Sequence, residues 1–292
     1  MQIYPRLSAF VELTRLDKPI GILLLLWPTL TALWLANAGK PPLKLLIIFG
    51  GGVCLMRAAG CILNDLADRK FDGQVTRTQQ RPLVSGKASV KTAIIWCVCL
   101  LLLALCLVLQ LNQRCILLAG LGVLLTTAYP FAKRFTYLPQ LVLGVTFNLG
   151  ILMAFVALMP QLPTAAWLLY VIALLWTVAY DTQYAMADRI DDIKIGVKST
   201  AILFGNYDRL IISLLHVSVI LLLSLLGQIL SLNKYYYLGV LGAGLFFIYQ
   251  SYLIRNRDPK HCFQAFLNNN WAWLAVFIGV VLNYFVTFHI SF

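Results

Sequence analysis

The chain has 292 residues, of which 61% are hydrophobic and only 12% are charged. Soluble domains are about 45 to 50% apolar and about 25% charged, so this composition excludes an ordinary soluble protein and predicts a polytopic membrane protein. The net charge of +12 would suggest nucleic acid as a partner of a soluble protein, but in a membrane protein basic loops on one face explain it better, and no nucleic acid is expected.

Nine stretches of the chain are long and apolar enough to cross a lipid bilayer as helices. A transmembrane helix needs about 20 mostly apolar residues. The stretches lie at 20–38, 43–64, 90–109, 114–131, 138–159, 164–187, 209–230, 235–254 and 271–290. Because little sequence remains between them, we expect a single all-α membrane domain over residues 1–292 with nine transmembrane helices.

Basic residues collect in alternate connections between these stretches. Eighteen Lys and Arg fall on the side that includes the N-terminus and four on the other side, with Arg57 inside a span. By the positive-inside rule, the N-terminus is expected in the cytoplasm. Residues 1–18 have neither a cleavable signal pattern nor the composition of a transit peptide, so we expect a bacterial inner membrane. The spans themselves indicate no oligomeric state.

Three cations lie near or inside the first two spans. Arg15 and Lys18 precede the first span, where they either anchor the chain at the membrane surface or bind an anionic group of a substrate. Arg57 lies within the second span, at a depth that costs about 2.5 to 3.5 kcal/mol on insertion scales, so it is expected to face the bundle interior. A structural salt bridge and a contact with an anionic substrate both remain open for Arg57.

The second span ends in an acidic cluster. Asn64, Asp68 and Asp72 are spaced i, i+4, i+8, and Asp65 precedes Asp68 by three residues, so all four share one helical face. Three like charges so close together repel one another, whereas a solvated helix end would more naturally mix signs. A hard divalent cation is the expected compensation.

The connection that follows, 69–91, is longer than the roughly 2 to 8 residues usual in a helical bundle. It is basic and bears a hydroxyl group, with Arg77, Arg81, Ser85 and Lys87. This composition suits phosphate binding, and a lipid-facing basic loop is the alternative. Lys133 and Arg134 add two cations to the same face after the fourth span.

A second acidic cluster ends the sixth span. Asp181, Asp188 and Asp192 are spaced i, i+7 and i+11, with Tyr184 between them and Asp191 beside Asp192. Two further cations, Lys194 and Lys198, follow the cluster. The pattern Asp-Arg-x-x-Asp occurs at 68–72 and again at 188–192, which suggests a parallel internal repeat of helices 1–4 and 5–8 with the clusters facing each other.

Together the clusters hold seven of the eleven acidic residues, a formal charge of −7. Left uncompensated, that charge would raise several carboxyl pKa values and push the helices apart. Mg²⁺ typically binds one or two carboxylates and completes its octahedron with water and phosphate oxygens. At a membrane site a lipid diphosphate is the expected substrate, and the metal would stabilise the departing diphosphate. A cation transporter is the alternative from another class, although transporters tend to place such clusters near the bilayer midplane.

Four stretches of the sequence carry a family resemblance. They are Arg15-x-Asp-Lys-Pro-x-Gly21, Asn64-Asp65-x-x-Asp68-x-x-x-Asp72, Arg81-Pro82-x-x-x-Gly86 and the run from Tyr180 to Ser199. They resemble the signatures of the UbiA superfamily of membrane prenyltransferases, with no departure at the acidic positions. The resemblance covers the whole chain and implies a nine-helix bundle around a central cavity that opens toward lipid and cytoplasm.

The resemblance also implies a reaction. It is the Mg²⁺-dependent transfer of a polyprenyl group from polyprenyl diphosphate to the ring of 4-hydroxybenzoate, meta to the carboxylate, in ubiquinone biosynthesis. Sister enzymes with haem, a naphthoate or homogentisate as acceptor are the nearest alternative.

Individual roles follow from the same resemblance. Mg²⁺ and diphosphate would be held by Asp65, Asp68, Asp72, Asp181, Asp188 and Asp192, helped by Asn64. Further substrate contacts would come from Tyr184, Lys133, Lys194 and Lys198. Arg15 and Arg57 are candidates for the benzoate carboxylate. Arg134 is expected to act in catalysis, and Asp191 is one candidate for removal of the ring proton.

Overall fold

The computed structural model describes residues 5–73 and 78–290, so Arg77 of the expected phosphate loop lies outside the described residues. Twelve α-helices form the described part of the chain, which contains no β-strand. They are α1 (Pro5–Thr14), α2 (Ile20–Ala36), α3 (Leu43–Asp72), α4 (Val90–Val108), α5 (Gln113–Phe135), α6 (Pro139–Phe147), α7 (Leu149–Leu158), α8 (Thr164–Ile195), α9 (Thr200–Phe204), α10 (Asp208–Ile229), α11 (Lys234–Leu253) and α12 (Pro259–Ile290). The all-α class predicted from composition is confirmed.

Eight stretches of the described chain are helical, long and apolar enough to cross a membrane. The expected first span corresponds to α2, which has only 17 residues and stands at the lower limit for a spanning helix of about 17 to 25 residues. Eight spans are therefore supported by length and composition. The count of nine, and the cytoplasmic position of the N-terminus, stay predictions.

The fifth predicted span, 138–159, is confirmed as one apolar stretch over Pro139–Leu158, but its helix is interrupted. Two helices, α6 and α7, meet at Asn148, whose φ of −93° and ψ of 2° interrupt the α-helical geometry. The buried Asn148 amide donates hydrogen bonds to the Gly144 carbonyl at 2.8 Å and to the Thr177 hydroxyl on α8 at 3.0 Å. Its polar group is therefore satisfied by its own turn and by a neighbouring helix, as a buried amide in an apolar bundle requires.

Three predicted spans are too short at one end. The structure extends α3 to Asp72 and α8 to Ile195, so both acidic clusters lie on a helix, as their helical spacing predicted. The last helix, α12, begins at Pro259 and not at 271. The residues near its start are polar, so this part of α12 does not belong to an apolar stretch, and the sequence did not predict it. Among them, Asn269 accepts a hydrogen bond from Trp176 at 2.9 Å and donates one to Gln183 at 2.8 Å.

The main hydrophobic core lies between α2, α7, α8, α10, α11 and α12. At its centre the buried rings of Trp176 and Trp273 lie 4.5 Å apart. The chain closes on itself where α12 packs against α2, and the Trp27 indole donates a hydrogen bond to Asn270 at 2.8 Å there. A smaller core joins α1, α3 and α4, with Leu13 fully buried between them. This framework brings the ends of α3, α5 and α8 together.

Candidate active site

A cavity of about 1690 Å³ runs through the bundle. Its volume exceeds the roughly 300 to 1,000 Å³ of ordinary ligand pockets, so it can take a large ligand. The side chains near one end are charged or polar, and those along α4 and α5 are apolar. The predicted residues that line it are Arg15, Arg57, Asn64, Asp65, Asp181 and Tyr184.

The aspartates of the first cluster face cations that come from other parts of the chain. Asp65, Asp68 and Asp72 are only 1%, 1% and 7% exposed. Arg15 lies 2.9 Å from Asp65, Arg81 lies 3.0 Å from Asp65 and 2.7 Å from Asp72, and Lys133 pairs with Asp68. Burial raises the pKa of the Asp72 carboxyl, an effect that the Arg81 guanidinium opposes. Each of the three carboxylates thus pairs with at least one of these three cations.

Asp68 keeps one oxygen without a partner. Its Oδ2 pairs with Lys133, but its Oδ1 is buried and has no hydrogen bond from any described residue. A buried carboxylate oxygen without a partner costs free energy unless a donor or a cation binds it. The atom without a partner is a carboxylate oxygen, which is the type of ligand that Mg²⁺ prefers, and Asp65 and Asp72 lie within electrostatic reach of Asp68. The residues present therefore fit a magnesium ion.

No three His, Cys, Asp or Glu side chains in 5–73 and 78–290 converge into a closed metal site.

Each cluster contributes one aspartate to the cavity lining: Asp65 belongs to the first cluster and Asp181 to the second. Asp181 lies close enough to Asp188 and Asp192 for electrostatic interaction. The phenol of Tyr129 on α5 interacts with Asp181 of the second cluster and with Asp68 of the first. One side chain therefore lies within electrostatic reach of both clusters.

Arg57 lies in the cavity wall between the two clusters and the apolar part. Its Cζ is 5.7 Å from the centre of the Phe147 ring, and its Nε is buried and has no hydrogen-bond partner within 5–73 and 78–290. It interacts electrostatically with Asp181 and Tyr180. Tyr184, one turn after Tyr180 on α8, packs edge-on against Phe266 at 5.0 Å. A cation and several aromatic faces thus share one part of the cavity.

Nine of the predicted site residues are not among the residues that line the cavity: Asp68, Asp72, Lys133, Asp188, Asp192, Asp191, Arg134, Lys194 and Lys198. The last four make contacts at the ends of α5 and α8. Arg134 donates a hydrogen bond to the Ala67 carbonyl at 2.7 Å, which ties the end of α5 to α3. Lys194 pairs with Asp191 at 3.4 Å on the outer side of α8. Lys198 donates to the Phe135 carbonyl at 3.3 Å, and its ammonium lies 5.3 Å from the Tyr137 ring. These contacts fix the ends of α5 and α8 in place.

Sequence reasoning did not place two sets of ion pairs. It treated Arg81 as one loop cation among several, although Arg81 bridges two aspartates of the first cluster. It also missed the fully buried Asp208, which pairs with Arg189 from α8 and with Arg257 at 2.9 Å. The signal for Asp208 was its position: it is an isolated acid at the start of an apolar helix, where a partner is required.

The apolar helices and the long cavity between them define the class of helical membrane proteins with a central ligand cavity. Solved structures of this class share the fold. A UbiA homologue from Aeropyrum pernix K1 superposes with a TM-score of 0.80 at 22% identity, over 89% of this chain and 97% of that one. A UbiA homologue from Archaeoglobus fulgidus bound to GPP and Mg²⁺ has a TM-score of 0.71 at 18% identity, over 94% of this chain and 100% of that one.

The sequence identifies the family within that class. The model of the UbiA prenyltransferase family matches residues 25–287. The 4-hydroxybenzoate octaprenyltransferase of Pseudomonas aeruginosa is 54% identical over 97% of this chain and 96% of its own length. The enzyme of the same name from Cronobacter sakazakii is 55% identical over 96% of both chains. The chain therefore belongs to the UbiA prenyltransferase family.

Proposed function

We propose that this protein transfers a polyprenyl group from polyprenyl diphosphate to the ring of 4-hydroxybenzoate, meta to the carboxylate, in ubiquinone biosynthesis. The observation that carries the proposal is the cavity that joins two facing aspartate clusters to a long apolar channel. Relatives named 4-hydroxybenzoate octaprenyltransferase, at 54% and 55% identity over nearly the whole chain, support this choice of acceptor.

The donor diphosphate binds at the charged end of the cavity in this proposal. Asp68 and Asp72 on α3 and Asp188 and Asp192 on α8 hold Mg²⁺ and diphosphate, helped by Asn64, Asp65 and Asp181. Bound Mg²⁺ lowers the charge of the diphosphate and so makes it a better leaving group. Lys133 and Arg81 already lie against the aspartates and supply further positive charge to the phosphate oxygens.

The prenyl chain extends into the apolar part of the cavity between α3, α4 and α5. When the bond between the diphosphate oxygen and the allylic carbon breaks, positive charge develops on that carbon. Tyr180, Tyr184 and Phe147 face the same region, and aromatic faces stabilise a cation by about 0.5 to 2 kcal/mol each. The apolar walls exclude water, which would otherwise capture the cation.

The acceptor binds beside Arg57, whose guanidinium offers two parallel hydrogen bonds to a carboxylate. Arg15 is already engaged by Asp65, which favours Arg57 over Arg15 for this role. The ring carbon forms the new bond to the prenyl carbon, and a carboxylate takes the ring proton. Asp191 as that base and Arg134 as a catalytic cation stay predictions, while Asp181 is the carboxylate of the second cluster that lines the cavity.

The proposal also includes the orientation of the protein in the membrane and the organisation of its helices. The excess of basic residues around both clusters supports an active site on the cytoplasmic face of a bacterial inner membrane. The repeated Asp-Arg-x-x-Asp pattern supports two related halves, helices 1–4 and 5–8, within a single domain. Lys194 and Lys198, at the end of the second half, contribute to substrate binding through the position of α8.

A panel of acceptors tests the reaction. The purified protein in lipid vesicles is given labelled octaprenyl diphosphate, Mg²⁺ and one acceptor at a time: 4-hydroxybenzoate, a dihydroxynaphthoate, homogentisate or haem. We expect label on 4-hydroxybenzoate only, and no product when Mg²⁺ is chelated. Transfer to another acceptor with none to 4-hydroxybenzoate would contradict the proposal, and so would cation flux into vesicles without any prenyl transfer.

A further inference from the structure

The start of α2 is in direct contact with the guanidinium of Arg57. A Cβ atom built on Gly21 would lie 2.1 Å from Nε, 2.5 Å from Nη2 and 2.7 Å from Cζ of Arg57. Real Cβ atoms essentially never approach a heavy atom within 3.0 Å. The guanidinium therefore occupies the space that any side chain at position 21 would need.

On another side, the same guanidinium packs against Phe147 of α6. The distance from Cζ to the ring centre is 5.7 Å, within the range of a cation–π contact. Because Arg57 also lines the cavity, a guanidinium displaced from α2 would move into the cavity and away from its present position beside Phe147. The α2 backbone and the Phe147 ring together limit where the guanidinium lies.

The segment that carries Gly21 is tied to α3 at a second point. Arg15 donates two hydrogen bonds to Asp65, at 2.9 and 3.0 Å. Asp65 follows Arg57 by eight residues, or about 12 Å along the helix at a rise of 1.5 Å per residue. The two contacts, Arg15 with Asp65 and Gly21 with Arg57, set how the start of α2 lies along α3.

We propose that Gly21 is a positioning residue for the acceptor: by lacking a side chain, it lets the Arg57 guanidinium keep the place from which it binds the acceptor carboxylate. This inference rests on the proposed role of Arg57 in the reaction. Its chemistry requires an acceptor with a carboxylate, because a planar guanidinium binds the two oxygens of that group in parallel. The donor diphosphate, bound by the aspartate clusters, does not depend on this contact.

Four variants test the inference: Gly21→Ala, Arg57→Ala, the double variant, and Gly50→Ala as the matched control. Gly50 lies on α3 two turns before Arg57, and a Cβ there meets no atom within 4 Å. For each variant the KM for 4-hydroxybenzoate, the KM for the prenyl diphosphate and the thermal midpoint are measured in the same vesicles. Separate KM values distinguish a displaced acceptor ligand from general damage to the bundle.

We expect Gly21→Ala and Arg57→Ala each to raise the KM for 4-hydroxybenzoate about tenfold and to leave the KM for the diphosphate within about twofold. Gly50→Ala should match the wild type. The double variant should equal Arg57→Ala, because the added methyl group has nothing left to displace. If Gly21→Ala fails to fold, the double variant should fold again, for the same reason.

Some results would overturn only the proposed role of Gly21, and others would also overturn the role of Arg57. A raised acceptor KM in Arg57→Ala with a normal one in Gly21→Ala would overturn the inference alone. Additive effects in the double variant, or a double variant that fails to fold when Gly21→Ala does, would also overturn it. An unchanged acceptor KM in Arg57→Ala would overturn the role of Arg57 in the proposed function, and the inference with it.

Discussion

At the end of α3 the three aspartates are buried and face Arg15, Arg81 and Lys133, whereas at the end of α8 the aspartates are only half-buried. The arginine inside the second motif, Arg189, pairs with the buried Asp208 on α10. Its counterpart in the first motif, Arg69, is exposed. The same pattern, Asp-Arg-x-x-Asp, thus has different surroundings at 68–72 and at 188–192.

The comparison distinguishes the aspartate pair that the two motifs share from the cations that differ between their surroundings. Both motifs place a pair of aspartates one turn apart at a helix end. At the first motif, Arg81 and Lys133 from other parts of the chain pair with the aspartates. At the second motif, the arginine within the motif pairs with Asp208 and holds α8 against α10. We infer that the cations beside the first motif act on the charge of the site, whereas the arginine of the second motif acts on the position of its helix.

The largest effect is expected when either aspartate pair is broken. Asp68→Ala and Asp188→Ala should each lower the rate of prenyl transfer by about a thousandfold or more, since a metal–diphosphate clamp contributes several kcal/mol to the transition state. Transfer of labelled prenyl groups is measured with the amount of folded protein in the membrane as control. Near-normal, Mg²⁺-dependent activity in either variant would show that prenyl transfer does not need both aspartate clusters.

Substitution of Arg81, beside the first motif, should change substrate binding, whereas substitution of Arg189, within the second motif, should change stability. Arg81→Gln removes the bridge between Asp65 and Asp72 and should raise the KM for the prenyl diphosphate about tenfold. Arg189→Gln removes a partner of the buried Asp208 and should lower the free energy of unfolding by about 1.5 to 3 kcal/mol, with little change in that KM. Thermal midpoints and KM values for both variants check this contrast, and a reversed pattern would contradict it.

The smallest effect concerns the ion pair between Lys87 and Glu12. Glu12 on α1 accepts hydrogen bonds from Lys87 at 2.8 and 3.1 Å, and this contact holds the pKa of the Glu12 carboxyl below its usual range. A lowered pKa in the folded state means that the pair stabilises the fold above the unfolded pKa of about 4.3. That stabilisation is lost as the pH falls through the folded pKa.

Glu12→Gln should therefore lower the free energy of unfolding at about pH 7 by less than about 1 kcal/mol, as expected for a partly exposed pair. The difference from the wild type should disappear once the pH is below the folded pKa. Thermal midpoints of both proteins across this pH range measure it. A variant that is more stable at neutral pH, or a difference that grows in acid, would be inconsistent with the pair as described.

The sequence allowed much of the fold to be predicted, because apolar stretches of about 20 residues are a strong signal. It could not predict the break at Asn148, since a lone polar residue is compatible with a continuous helix unless a neighbour such as Thr177 is known to lie beside it. The polar first turns of α12 were also missed. Their partners, Trp176 and Gln183, are more than 80 residues away in the chain.

For the site, helical spacing was enough to place Asp65, Asp68 and Asp72 on one face and to find the second cluster. The pairings were not readable from spacing. Arg15 and Asp65 are 50 residues apart in the chain, and Lys133 and Asp68 are 65 apart. The contact of Gly21 with Arg57 is a matter of close approach between helices, which leaves no periodic trace in the sequence.

The central claim is that one prenyl diphosphate is held by both acidic clusters at once. Binding of an unreactive prenyl thiodiphosphate to the protein in vesicles, titrated with and without Mg²⁺, tests it most directly for the wild type, Asp68→Asn and Asp188→Asn. We predict that Mg²⁺ strengthens binding to the wild type and that either substitution weakens it by about tenfold or more. Binding of wild-type strength in either variant, with its Mg²⁺ dependence intact, would contradict the shared site.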